Sequence, residues 1–509
     1  MERVLNATAI RRAVTVSSLS RPHLTREERR NRTVAVAIVM TGVTMSAVDT
    51  TAVVLGLPVM KTDLHSDLIS MVWVIMAYLL ITTISTTQVG RLGDMFGRVR
   101  MYNLGFALFT IFSLFCGFSE NSAELIIFRI FQGLGGAFIF ANSGAILADT
   151  FPPNERGKAF GYNGVGWSLG AILGILVGGA FVTFLSWRYI FFINVPIGIA
   201  ATLIGYFMLK EKSPRIKERL DYGGLILLGA GLFFVLYGIS NITGSGWTDF
   251  SGLEMSLGLL LVFSFILLER RIEHPLLDLS ILKSRILTAS IFAAFFQSLA
   301  TFAVLFLIIM YLQGPRGFSP WSSSILLIPG YILGGVVAPF SGRLSDRVGA
   351  RVVATIGLSV QILGILIYLT FGLSTSVYVV ILGAVVYGSG NSAFFAPNNS
   401  AVMSNAPPRA YGVTNGLLRT IANMGMLSSF AVAMLIASIS IPRSYAFQIF
   451  VGAGKISGQL SSAYITGMHT ALLASIALLV IAIALSILRG RESREPPKTM
   501  QGTLNTKTN

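Results

Sequence analysis

Fourteen times along its 509 residues the chain passes through a run of about 20 or more mostly apolar residues, and that recurrence limits what it can fold into. A run of this length, at 1.5 Å per residue, crosses roughly 30 Å of hydrocarbon as a helix. The runs are too long and continuous for barrel strands, so all-α membrane spans are expected. They lie near 33-58, 71-91, 101-119, 123-148, 157-184, 188-209, 222-240, 251-268, 285-312, 319-341, 352-372, 376-403, 412-440 and 467-488. Only 12% of the residues are charged, well below the share in soluble domains.

The net charge of +16 raises the question of nucleic acid, and the placement of the basic residues answers it. Of the 38 Lys and Arg, five (Lys61, Arg188, Arg316, Arg443 and Lys455) fall in loops of one side and Arg129 and Arg419 fall within spans. All the others gather on the opposite side. By the positive-inside rule that side is cytoplasmic and holds both termini, in the cell membrane. No basic face for nucleic acid remains. Cys116 is alone and His23, His65, His274 and His469 are scattered, which argues against a disulfide framework, a metal site or a bound cofactor.

A repeat divides the chain. Gly90, Arg91, Leu92, Asp94 and Gly97, followed by Arg98, return as Gly342, Arg343, Leu344, Asp346 and Gly349, 252 positions later. Pro152-Pro153 to Gly157 returns as Pro407-Pro408 to Gly412, 255 positions later. Two links at nearly one offset imply duplicated six-helix halves. The expected organisation is a basic tail over 1-32, a first half over 33-209, charged links with two inserted spans over 210-284, a second half over 285-489 and a tail over 490-509. Thr25 with Glu28 can form a capping box for a short surface helix in the first tail.

These residues resemble the major facilitator superfamily, and within it the fourteen-span drug:proton antiporters. Gly90 to Arg100 matches that superfamily's link between spans two and three, and Arg129-Ile130-Phe131-Gln132-Gly133 resembles its fourth-span motif. Asp49-Thr50-Thr51 with Leu57-Pro58, Trp73 with Tyr78-Leu79, and Trp187-Arg188 with Asn194-Val195-Pro196 are similar to further patches of the fourteen-span group, with Val54 where an Asn is usual. Gly166, Gly170, Gly174 and Gly178 resemble its antiporter-associated fifth-span motif, with Ile175 in place of the proline. The resemblance implies a major facilitator fold and a conformational role for the two links, including Asp94, Asp346 and their arginines. It also implies export of small lipophilic or cationic compounds in exchange for protons by alternating access.

The residues themselves point to where chemistry is possible. A carboxylate in mid-span costs about 2.5 to 3.5 kcal/mol on insertion scales, so Asp49 needs a compensating role. Helix rise puts Asp49 and Arg129 at similar depth from one side. Two readings follow: a proton-coupling pair, or a lock between spans one and four. The glycines four apart give one bare helix face for close packing. Tyr78, Gln132, Trp167, Phe296, Asn391, Phe394 and Asn398 are candidates for a substrate cavity, with interhelix packing as the alternative. Arg419, about two turns into its span, reads as a side chain that snorkels to the interface, and Trp187 and Trp321 as interfacial anchors.

A monomeric secondary transporter is therefore expected, not an enzyme, its partners being a small-molecule substrate, protons and the lipid bilayer. Without a G-x-x-x-x-G-K-[ST] loop, a gradient is the expected energy source. The alternatives are a proton-coupled transporter of one metabolite and, from another class, a polytopic membrane enzyme or sensor.

Overall fold

The computed structural model describes residues 25-151, 156-211, 219-272, 275-277, 279-406, 411-450 and 458-490. Among them fourteen helices are long and apolar enough to cross a membrane, and there are no strands. The first half comprises α1 (Arg26–Asp63), α2 (Leu68–Phe96), α3 (Arg98–Phe118), α4 (Ser122–Thr150), α5 (Arg156–Phe184) and a sixth span broken into α6 (Tyr189–Phe192) and α7 (Asn194–Met208). An inserted pair follows, α8 (Tyr222–Ser245) and α9 (Asp249–Glu269). The second half is α10 (Arg285–Gln313), α11 (Pro320–Val348), α12 (Ala350–Tyr368), α13 (Val377–Asn405), α14 (Tyr411–Ile439), a short α15 (Arg443–Phe450) and α16 (Gln459–Leu488). Helices α2 and α11 each end on a copy of the repeated link, at what is called here the link side. The opposite ends form the far side.

The two halves reuse one packing scheme. Helix α1 packs on α5 as α10 packs on α14, α4 holds α2 and α3 as α13 holds α11 and α12, and α3 meets α7 as α12 meets α16. The inserted α8 lies over the seam, against α2 and α14. Across the seam, Gln313 Nε2 donates to the Leu55 carbonyl at 2.9 Å and the Trp321 amide donates to Thr183 Oγ1 at 2.9 Å. Both bonds lie toward the far side.

Local chemistry sets several boundaries differently from the sequence expectation. Thr25 and Glu28 do form a capping box, but it opens α1 itself, so the helix it caps is the first span, starting at Arg26. Helix α1 continues through Pro58 to Asp63. Trp187 is 2% exposed and its indole N–H donates to Asp63 Oδ2 at 2.7 Å, so it is a buried tie between α1 and the sixth span, not an interfacial anchor. The second repeated link, 152-155 and 407-410, lies outside the described residues.

The glycine face of α5 lies on α1. A Cβ at Gly174 would stand 1.9 Å from Thr51 Oγ1 and 2.7 Å from the Val48 carbonyl, one at Gly170 2.6 Å from the Thr44 carbonyl, and one at Gly178 2.8 Å from Ala52 Cβ. Gly166 touches Met40, and its carbonyl accepts from Thr44 Oγ1 at 3.0 Å. Only a bare face permits this approach. It seats the helix that carries Asp49.

Candidate functional site

Asp49 stands in the middle of α1, and every other span of the first half except α5 turns a group toward it, toward Arg129 or toward Gln132. Arg129 Nη1 from α4 meets Asp49 Oδ2 at 2.5 Å, with neither side chain exposed. Gln132 Nε2, one turn along α4, donates to Asp49 Oδ1 at 3.0 Å and to Ser113 Oγ of α3 at 2.7 Å. Asn194 Nδ2 reaches the same Oδ1 at 3.4 Å. A carboxylate satisfied by a guanidinium and two amides tolerates burial that an isolated ion would not.

Arg129 is itself held on several sides. Its Nε donates to the Val74 carbonyl at 3.1 Å and its Nη1 to Gln132 Oε1 at 2.7 Å. The guanidinium carbon lies 4.3 Å from the Tyr78 ring centroid and 5.8 Å from that of Phe191. Its Nη2 has no hydrogen-bond partner and is buried. The site is thus a fully buried, paired ion couple clasped by aromatic faces, in which the attraction between the charges is strong and breaking the pair is costly.

The second half has a neutral counterpart. Thr301, 252 positions after Asp49, is the hub there. Its hydroxyl accepts from Gln361 Nε2 at 2.7 Å and from Gln297 Nε2 at 2.9 Å, and its carbonyl from Tyr387 Oη at 3.3 Å. Gln297 also donates to Asn391 Oδ1 at 2.6 Å. The two halves share the position, but only the first places a charge on it.

The candidate cavity residues fall into two groups. Tyr78, Gln132, Phe394 and Asn398 are 6% exposed or less, so they support helix packing and the Asp49 network and are not an open lining. Tyr78 lies under Arg129; Asn398 bonds to the Ser290 carbonyl at 3.1 Å and receives Arg489 Nη1 at 3.3 Å. Trp167, Phe296 and Asn391 are half-buried; Trp167 packs on Phe140 and Phe296 on Phe295. Sequence reasoning gave Ser113 no role and noted Asn194 only within a resemblance. The available signal was Asn194-Val195-Pro196 in the middle of an apolar run, where the sixth span breaks between Phe192 and Asn194.

The link copies differ in engagement. Gly97, at φ +109, joins α2 to α3, and Gly349, at φ +97, joins α11 to α12, a backbone region where glycine is favoured. In the first copy Arg98 pairs with Asp94 and with Asp149 of α4, each at 2.7 Å. Arg91 bonds to the Arg219 carbonyl at 3.0 Å and to the Pro275 carbonyl, and Glu211 accepts from the Val99 amide at 3.1 Å. Gly90 has room, its nearest neighbour at 3.9 Å. In the second copy, added side chains at Gly342 and Gly349 would meet nothing within 4 Å, and Arg343 is exposed. The side chain of Asp346 lies outside the described residues. Among the described residues no group of three or more His, Cys, Asp or Glu could hold a metal.

Comparison with known proteins agrees with this architecture. The family model described as Major Facilitator Superfamily matches residues 39–430. A riboflavin transporter of Clostridioides difficile is 30% identical over 399 residues, 78% of this chain and 86% of the relative. A tetracenomycin C resistance and export protein of Streptomyces glaucescens is 31% identical over 405 residues, 79% and 75% of the two chains. Among solved structures, a bacterial homolog of the human lysosomal transporter Spinster, in an inward-facing and unoccupied conformation, superposes with a TM-score of 0.66 at 18% identity. That likeness covers 94% of this chain and all of the other.

Proposed function

The chain belongs to the Major Facilitator Superfamily and is a multi-pass membrane transporter, and on that premise we propose that it exports lipophilic or cationic drugs in exchange for protons. The observation that carries the proton coupling is the buried Asp49–Arg129 pair in one half, set against the neutral Thr301 network in the other. In this proposal the link side is cytoplasmic, the membrane is the cell membrane, and the unit is a monomer. The bonds from Gln313 and Trp321 toward the far side support a state open toward the link side.

The cycle follows from charge in a dry medium. With the pair closed, the two charges offset each other and cargo enters from the link side. Rocking of the halves separates the pair, and a carboxylate deprived of its cation in low dielectric takes a proton from the far side. The return re-forms the pair and drives that proton off on the link side. One proton crossing 100 mV contributes about 2.3 kcal/mol to the exchange. Release of the Arg98 and Arg91 contacts is assigned to the rocking step, with Gly90 and Gly97 at the turn. The half-buried Trp167, Phe296 and Asn391 are assigned to the cargo cavity.

The test is transport in proteoliposomes. Asp49→Asn is expected to abolish flux driven by a pH gradient while gradient-free exchange of a labelled cationic dye persists. Undiminished gradient-driven flux removes Asp49 from the mechanism. The riboflavin-transporting relative favours a second reading, proton-coupled movement of one metabolite, and competition between dyes and that compound in the same vesicles separates the two.

A further inference from the structure

The second half holds one cation whose place in the bundle gives it a use. Arg419 lies eight residues into α14, roughly 12 Å from its link-side end. Residues 419, 423, 426, 430, 434 and 437 follow at intervals of three or four and so share one helix face. Toward the far side that face is inside the bundle: Met426, Phe430, Met434 and Ala437 are 4% exposed or less. Phe430 packs on Phe302 and Phe306 of α10, and Ala437 covers Gly467 of α16. The face looks inward, not into lipid.

Toward the link side the same inward face opens. Arg419 is exposed, Asn415 and Asn423 are half-buried, and a Cβ added at Gly416 would meet nothing within 4 Å. This corrects the snorkelling expectation, which requires a side chain directed outward around the helix. Among the described residues Arg419 forms no ion pair and no hydrogen bond, and neither amide is bonded. Five described acids on the spans are committed elsewhere: Asp49 to Arg129, Asp94 and Asp149 to Arg98, Glu254 to Asn241, and Glu269 to the Leu276 and Leu277 amides. Among the described residues no acid pairs with this cation. A guanidinium in an open, low-dielectric cleft concentrates anions and binds planar oxyanions with paired hydrogen bonds.

We propose that Arg419, flanked by Asn415 and Asn423, is a subsite for the anionic group of the cargo, a carboxylate, sulfonate or phosphate. The inference rests on the transporter reading above and narrows it: the cargo carries an acidic group beside its apolar body, and a purely cationic dye does not use this subsite. An anionic lipid headgroup offers the same chemistry, so the experiment separates that source.

The experiment is equilibrium binding to the full-length protein in nanodiscs, followed by fluorescence polarisation. The probes are fluorescein and a cationic rhodamine ester of the same ring system. In discs of phosphatidylcholine alone, Arg419→Gln is expected to weaken fluorescein about tenfold or more, the scale of one charge-assisted hydrogen bond, and to leave rhodamine within about twofold. Arg419→Lys is expected to fall between, because it keeps the charge and loses the fork. The proposal is overturned if the wild type binds no fluorescein, if Arg419→Gln keeps fluorescein within about twofold, or if both dyes weaken alike. Added phosphatidylglycerol that abolishes fluorescein binding to the wild type assigns the subsite to lipid and overturns it too. Binding needs no gradient, so fluorescein binding without dye flux in proteoliposomes retains the subsite and removes the transport reading.

Discussion

Arg129 Nη1 and Asp49 Oδ2 meet at 2.5 Å across 80 positions of sequence, both side chains wholly buried. Removing one partner of such a pair leaves an uncompensated charge, a loss of about 3 to 5 kcal/mol. Arg129→Ala is therefore expected to lower thermal stability in detergent severely, and Arg129→Ala with Asp49→Asn to recover most of it. Additive losses in that cycle would mean that the pair is not coupled.

Gly174 and Gly90 make opposite predictions for the same substitution. Gly174→Ala puts its methyl 1.9 Å from Thr51 Oγ1 and 2.7 Å from the Val48 carbonyl, and the backbone cannot yield, so α1 must move. A cost of about 1 to 3 kcal/mol is expected, with loss of transport. Gly90→Ala has 3.9 Å of clearance and is expected to leave melting within about 0.5 kcal/mol of the wild type. Equal melting of the two variants would contradict the packing described for α5.

Gly97 and Gly349 both hold positive φ at the turns of the repeated links. An alanine at either position is expected to cost about 1 to 2 kcal/mol of backbone strain. At Gly97 the new methyl also lies 2.5 Å from Glu211 Oε2, and the bond to the Val99 amide is disturbed; at Gly349 nothing stands within 4 Å. Melting curves should show Gly97→Ala no more stable than Gly349→Ala. The reverse order would deny the first link its contact with Glu211.

Trp187 ties the sixth span to the end of α1 through Asp63. Trp187→Phe keeps most of the buried ring and deletes the indole donor, and a loss of about 1 kcal/mol is expected. Asp63→Asn retains an acceptor for the indole but loses the charge facing Arg188 at 2.7 Å. Because Asp63 is 46% exposed, that ion pair contributes little and salt should mask it, whereas the Trp187→Phe loss should survive high salt.

Much of this protein was legible in its residues. Run length alone gave the fourteen spans, because hydrocarbon thickness fixes the length of a helix that must satisfy its own backbone. The repeated Gly-Arg-Leu-x-Asp links showed the duplication, and depth by helix rise put Asp49 near Arg129. The network around the pair was less visible: Ser113 is an ordinary serine in an apolar run, and its role depends on where α3 stands relative to α4.

Helix rise determines how deep a residue lies but leaves its azimuth and its neighbours open, and the structure decided those. Trp187 sits at the end of a span, where aromatic residues often anchor at the interface, yet it is buried on Asp63. Tyr78 was a candidate cavity residue and proves to be the ring beneath a guanidinium. Arg419 was a cation near a membrane face; only the burial of Met426, Phe430 and Met434 on the same side of α14 shows that it points inward. The membrane class, the span number and the duplicated plan follow from residue order alone, since these depend on length and local composition. Which charges meet, which stand alone and which faces close depended on packing between helices far apart in the chain, and that was settled only by the tertiary structure.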